Sequence, residues 1–223
     1  MPEEEDAGQR VRRLIVECME IIPKYTSGRG SFSSMPEMGY DARHPPDWQL
    51  EFVELLGVQP IQGLAPDADE IVPMVGLLNE VTLSGDSLWN VSTQTLSSVL
   101  GYVVLEMLLR RLTPVLDSWG YLTAPVEGFT PFTRISGLMN VLLVFERTTE
   151  LQALADDFRS LNAAMSSSEP DRRGEAISVN LYGRLERGRN LMLHGNLSHS
   201  FEGSLLVLLV DLIMLHAMSV PNQ

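Results

Sequence analysis

The chain has 223 residues, 44% of them hydrophobic and 20% charged, a composition that excludes wholesale disorder, collagen-like repeats and a disulfide scaffold. Fifteen Arg and one Lys stand against 29 acidic residues, for a net charge of −13. A field of that sign repels phosphate backbones, argues against nonspecific duplex binding and leads us to expect no DNA partner.

Met1 to Asp6 is acidic where a secretory leader would be basic, so no targeting signal is read there. With Cys18 the lone cysteine, the expected setting is reducing and cytoplasmic. The length fits one domain, or one of about 130 to 150 residues with a smaller helical partner. Val11, Leu14, Ile15, Cys18, Ile21 and Ile22 follow i, i+3, i+4 spacing and predict a helix from Gln9 to Ile22, closed by Pro23. Ser27 to Pro46 reads as a loop, Asp47 to Leu56 as a short helix ended by Gly57, and Pro66 to Leu83 as a helix in which Pro73 delays the start or forms a kink.

Ser84, Gly85 and Asp86 interrupt the pattern. Val91 to Leu112 then predicts a central helix with a wide apolar face of Leu96, Val99, Leu100, Val103, Val104, Met107 and Leu108. Trp119 to Phe132 is a loop, followed by predicted helices over Thr133–Arg147 and Thr149–Met165, a polar stretch from Ser166 to Gly174, and a helix over Glu175–His194 that breaks at Gly195. A last helix runs from Ser200 to Met218. Its apolar run, Leu205 to Met218, is too short to cross a bilayer, so no membrane partner is expected. No segment carries a persuasive period of two, and the expected fold class is all-α.

The charge is uneven. Residues 1–170 carry net −13, whereas 171–200 carry five Arg against three acids, net +2. That basic stretch contains Arg189, Asn190 and His194 followed by Gly195. Histidine, ordinarily titrating near pH 6.5, gives or takes a proton at physiological pH. Arginine presents a donor fork that suits a phosphate. Together they are the minimum for cleaving RNA through its own 2′-hydroxyl, a reaction that needs no metal or other cofactor. On a helix Asn190 and His194 share a face, so the amide is placed to orient the imidazole. Arg189 and His194 stand about 140° apart around the axis. Either the helix loosens near Gly195, or a second copy completes the site about a two-fold axis. On spacing alone, an Arg and a His near a helix end are ordinarily surface groups.

This pattern, with its long apolar helix after Gly195, resembles the RNxxxH signature of the HEPN (higher eukaryotes and prokaryotes nucleotide-binding) superfamily. The run Val103 to Leu108 around Glu106 also resembles the family's early core helix. The resemblance covers about Asp86 to Val220, roughly 60% of the chain. It implies a HEPN-like helical bundle over 86–223, with 1–85 as an additional N-terminal helical region, and a homodimer with both motifs at its seam. It further implies a metal-independent endoribonuclease, of a kind commonly used as a toxin or antiviral effector under an antitoxin or sensor protein. Carried over by position, Arg189 binds the scissile phosphate of the RNA substrate, His194 transfers protons and Asn190 orients them. Glu106 is either a carboxylate steering the Arg or a solvated helix carboxylate. Asn196 stands where one branch of the family has a tyrosine modified by its antitoxin, so that form of control is not implied.

Arg184 and Arg187 either widen the positive patch for RNA or form a solvated face with Glu186 between them. His199 has the wrong spacing to pair with His194 as a metal site, and no metal is expected. Asp211 and His216, inside the last apolar helix, read as satisfied core or interface groups. Arg29 lacks the phosphate-loop pattern around it, and Cys18 reads as core. The competing function is a noncatalytic helical interaction or nucleotide-binding module that docks a partner through its acidic N-terminal half.

Overall fold

Asp6 starts the first helix by closing a capping box: its carboxylate accepts from the Gln9 amide at 2.8 Å while the Gln9 side chain accepts from the Asp6 amide at 3.1 Å. This is α1 (Ala7–Ile21). The computed structural model describes residues 5–23, 47–58, 61, 64, 67–83, 93–170, 176–194 and 201–220. The expected loop at 27–46, the break at 84–86, Arg29, Gly195, Asn196 and His199 lie outside the described residues. Within them the chain continues through α2 (Asp47–Val58), α3 (Ala68–Leu83), α4 (Thr93–Arg111), α5 (Leu138–Thr148) and α6 (Gln152–Ala164). A two-stranded hairpin, β1 (Ser167–Pro170) and β2 (Ala176–Val179), then leads into α7 (Leu181–Leu193) and α8 (Phe201–Met218). The fold is all-α. Pro73 lies inside α3 rather than at its start, and its missing N–H removes one intrahelical bond.

The hairpin corrects the expected helix over Glu175–His194. Residues 176–179 pair antiparallel with 167–170, Ser167 opposite Val179 and Pro170 opposite Ala176. Helix α7 therefore begins only after Asn180, whose side chain accepts from the Gly183 amide at 2.9 Å. Helix α5 likewise starts at Leu138 rather than Thr133, because residues 133–135 are held extended by the preceding loop: Leu122 N–H donates to Thr133 and Ile135 N–H to Gly120.

Helix α8 is the axis of the molecule. Every residue from Leu205 to Met218 is buried, as expected of a helix that is apolar on all sides, and α1, α3, α4 and α6 pack around it. One continuous core runs from Val11 to Met218, so α1 and α2 belong to the same core as the segment that carries the motif. Arg10 and Arg13 pin α1 to α2 through Glu51 at 2.7 Å each. Burial works against the charged form of Glu51, yet those two guanidiniums hold its carboxyl below the usual range.

Helix α4 buries Val104 and Leu108 of the predicted apolar face and packs Leu100 and Met107 against the core, but its buried arc is shifted past Val103. Val103 is exposed, while Tyr102, Leu105, Leu108 and Leu109 are buried. Gly101 decides the rotation: a Cβ there would lie 2.8 Å from Cβ of Leu206 on α8, so the smallest residue sits at the closest helix–helix approach. Gly101→Ala is expected to destabilise by about 1–3 kcal/mol through overpacking and to lower Tm by roughly 3–10 °C. An unchanged melting curve would show that the helices are not this close.

Candidate functional site

Three contacts fix the orientation of α7, which carries the motif. Its buried stripe is Leu181, Tyr182, Leu185 and Gly188. The Tyr182 hydroxyl donates to Glu146 on α5 at 2.7 Å, and burial followed by that carboxylate pushes the phenol pKa up. The Tyr182 amide donates to Asn162 on α6. Arg184 reaches back to the Ser167 hydroxyl of β1 at 2.6 Å, so this arginine is drawn into holding the hairpin on α7. Arg187 is on the exposed side of the helix.

Arg189 meets Glu106. Its Nε donates to Glu106 Oε2 at 3.0 Å and its Nη2 lies 3.0 Å from the same oxygen. The other carboxylate oxygen takes Arg110, one turn along α4, with Nη2 at 2.8 Å and Nε at 3.1 Å. Glu106 is therefore a bridge between two guanidiniums rather than a solvated helix carboxylate. Arg189 Nη1 makes no hydrogen bond to a described residue, and the side chain is 24% exposed. A guanidinium carries five N–H donors in a rigid plane, so a fork anchored along one edge still presents donors along the other.

Asn190 is turned away from the imidazole. Its amide donates to Glu186 Oε1 at 3.1 Å, and the second oxygen of Glu186 accepts from the Met139 amide at 3.2 Å. Glu186 thus caps α5 from a neighbouring helix, where Gly137, at φ 83°, supplies no side chain of its own. A Cβ at Gly137 would lie 3.1 Å from Glu186 Oε1, so the turn and the cap are built to fit each other.

His194 is the C-cap of α7, and its ring is exposed with no hydrogen bond to a described residue. Its amide still donates to the Asn190 carbonyl at 3.1 Å. The helix therefore does not loosen before His194, and Arg189 and His194 remain on different sides of it. The structure brings Arg189 together with Glu106, and Asn190 with Glu186. It does not bring Arg189 to His194 within one chain.

Two participants escape a sequence reading focused on the motif: Arg110 and Glu186. Both sit four residues from a partner, Glu106 and Asn190, so i, i+4 spacing was the available signal. The remaining candidates are core groups. His216 Nε2 lies 2.7 Å from Asp157 on α6, and Asp211 accepts from Asn79 on α3 at 2.9 Å. Cys18 is buried against the Leu208 carbonyl. Among the described residues no group of three His, Cys, Asp or Glu is placed to hold a metal ion, and no helix is long and apolar enough to cross a membrane. Comparison with protein-family models, with curated proteins and with solved structures gives no match.

Proposed function

We propose that the chain is a HEPN-type, metal-independent endoribonuclease acting from a composite site in a homodimer, in the role of a toxin or antiviral effector. The observation that carries this reading is the seating of Arg189. Glu106, itself tied to Arg110, takes one edge of its guanidinium, and the donors not bonded to Glu106 are left for a phosphate. An arginine held by a carboxylate costs little reorganisation when charge develops on a phosphate oxygen, which is where such preorganised donors act most strongly.

In the proposed reaction the RNA 2′-oxygen attacks the adjoining phosphorus. The O2′–P bond forms, the P–O5′ bond breaks, the 2′-hydroxyl proton passes to a base and O5′ receives a proton. The products are a 2′,3′-cyclic phosphate and a 5′-hydroxyl. Arg189 stabilises the crowded phosphorane, and His194, exposed at the helix end, moves a proton. Because the helix stays wound through His194, the two groups are joined most simply by a second copy, with Arg189 of one protomer facing His194 of the other. Asn190 then acts at one remove, by holding Glu186 and the start of α5.

The test is cleavage of whole-cell RNA by the purified chain in EDTA, with the new ends mapped. Cyclic phosphate and 5′-hydroxyl ends are expected. A cut that requires added metal, or leaves 5′-phosphates, would sink this reading. Failure to cut any RNA pool would favour the noncatalytic interaction module instead.

A further inference from the structure

The segment between α4 and α5 is irregular but tightly built. Residues 115–117, 121–123 and 133–135 lie side by side, joined by the bridges Leu116 to Leu122 and Tyr121 to Arg134. A tight turn links the first two: the Gly120 amide donates to the Asp117 carbonyl at 2.9 Å, and the Asp117 carboxylate accepts from the amides of Trp119 at 2.9 Å and Tyr121 at 2.8 Å. Leu122 and Ile135 point inward and are buried. Trp119 is 76% exposed, Phe132 73% and Tyr121 44%. Three aromatic rings in solvent on a hydrogen-bonded frame are an arrangement that core packing does not explain.

This frame stands on the candidate site. A Cβ at Gly120 would lie 2.5 Å from Arg110 Nη1, and Arg110 Nη2 lies 3.4 Å from the Ile135 carbonyl. Gly120, Arg110, Glu106 and Arg189 therefore form an unbroken series of contacts from the turn that carries Trp119 to the motif. Arg134, across from Tyr121, is exposed and has no acidic partner among the described residues. The carboxylate of the turn, Asp117, is occupied by backbone amides. Ser118, Thr123, Thr130 and Thr133, near the rings in sequence, are exposed as well, and their hydroxyls can hydrogen-bond to a polar ligand.

We propose that Trp119, Tyr121 and Phe132 form a stacking platform for unpaired RNA bases, with Arg134 contacting an adjoining phosphate. The inference rests on the nuclease reading for the identity of its ligand. Tyr121 paired with the exposed Arg134, and Trp119 and Phe132 each two residues before one of that pair, suit a base face and its phosphate together, and stacking is available only to bases not already stacked in a duplex. The platform thus selects single-stranded RNA, and the hydrogen-bonded turn fixes the backbone from which the Trp119 ring projects.

The experiment uses the full chain carrying His194→Ala, so that RNA is bound but not cut, and a fluorescein-labelled oligouridylate read by anisotropy in EDTA. Adding Trp119→Ala is expected to raise Kd about tenfold, the effect of one lost base stack, while Trp119→Phe keeps most of the affinity. In the cutting-competent chain Trp119→Ala raises KM with kcat unchanged. Phe132→Ser is a second variant, and both exposed positions should leave Tm unaltered. An unchanged Kd, or equal losses with Ala and Phe at position 119, overturns the platform. A changed sedimentation coefficient with RNA binding intact also overturns it and assigns the rings to a protein contact. Binding through Trp119 without cleavage would leave the platform standing and remove the nuclease reading. Cleavage that depends on Arg189 and His194 but ignores Trp119 would do the reverse.

Discussion

Arg189→Ala and His194→Ala are each expected to lower the rate of RNA cleavage about 100- to 10,000-fold without altering the fold, the range for removing a positioned proton-transfer group or a transition-state donor. Neither side chain is part of the core: His194 is exposed and Arg189 is partly so. Loss of activity with an unchanged melting curve would therefore be a chemical effect. Glu106→Gln keeps the shape of the bridge but removes the charge that holds Arg189 and Arg110, and about a tenfold loss is expected.

The two severe variants also test the composite site. If Arg189 of one protomer serves His194 of the other, a mixed dimer of Arg189→Ala and His194→Ala subunits contains one intact site. Random exchange between the two inactive proteins should then restore about a quarter of the parent activity. A site contained within a single chain predicts no recovery at any ratio. If both variants cut as fast as the parent, the motif is not the site, and the contact between Arg189 and Glu106 is only a tie between α4 and α7.

The helices were legible in the sequence wherever a single local signal governed them. Helix α8 is apolar on every side and could only be buried. Helix α1 has a capping residue and a clean i, i+3, i+4 stripe. The errors arose where a distant partner decided. Residues 176–179 read as the start of a helix because their strand partner, 167–170, shows no alternation, and it is the pairing with that partner that makes them a strand. On α4 the apolar arc is broad enough to admit several rotations, and Gly101 against Leu206 selects one. Asn190 illustrates the same limit at the site. Helical spacing offers it two neighbours, Glu186 four before and His194 four after, and the carboxylate wins because a charge-assisted bond is the stronger. The contact between Glu106 and Arg189 spans 83 positions. Only the family resemblance pointed to it, since no local pattern links residues so far apart.

A second large effect concerns the core rather than the site. Asp211 is fully buried on α8, and its pKa is pushed up to about 8 by burial, against the opposing hydrogen bond from Asn79, which in turn accepts from Gln49. Asn79 donates to Oδ1, while Oδ2 has no partner, and Gln49 Oε1 and Trp48 Nε1 nearby are likewise buried without one. At neutral pH the native carboxyl is therefore a neutral acid. In the unfolded chain it ionises near pH 4. Between about pH 4 and pH 8 the native state thus holds a proton that the unfolded state has released, so the contribution of Asp211 to stability is fully present below pH 4 and is lost as pH rises through this window. At 1.36 kcal/mol per pH unit the total is on the order of 5 kcal/mol, a large share of an ordinary domain's stability. Asp211→Asn keeps the size and the acceptor for Asn79 but cannot ionise. It is expected to remove this part of the slope, so that the variant melts roughly 10 °C above the parent at pH 8 and close to it at pH 4.5. Thermal melts of both proteins across that range decide the matter: parallel Tm profiles would show that Asp211 is ionised in the native core and that the polar cluster around it solvates a charge.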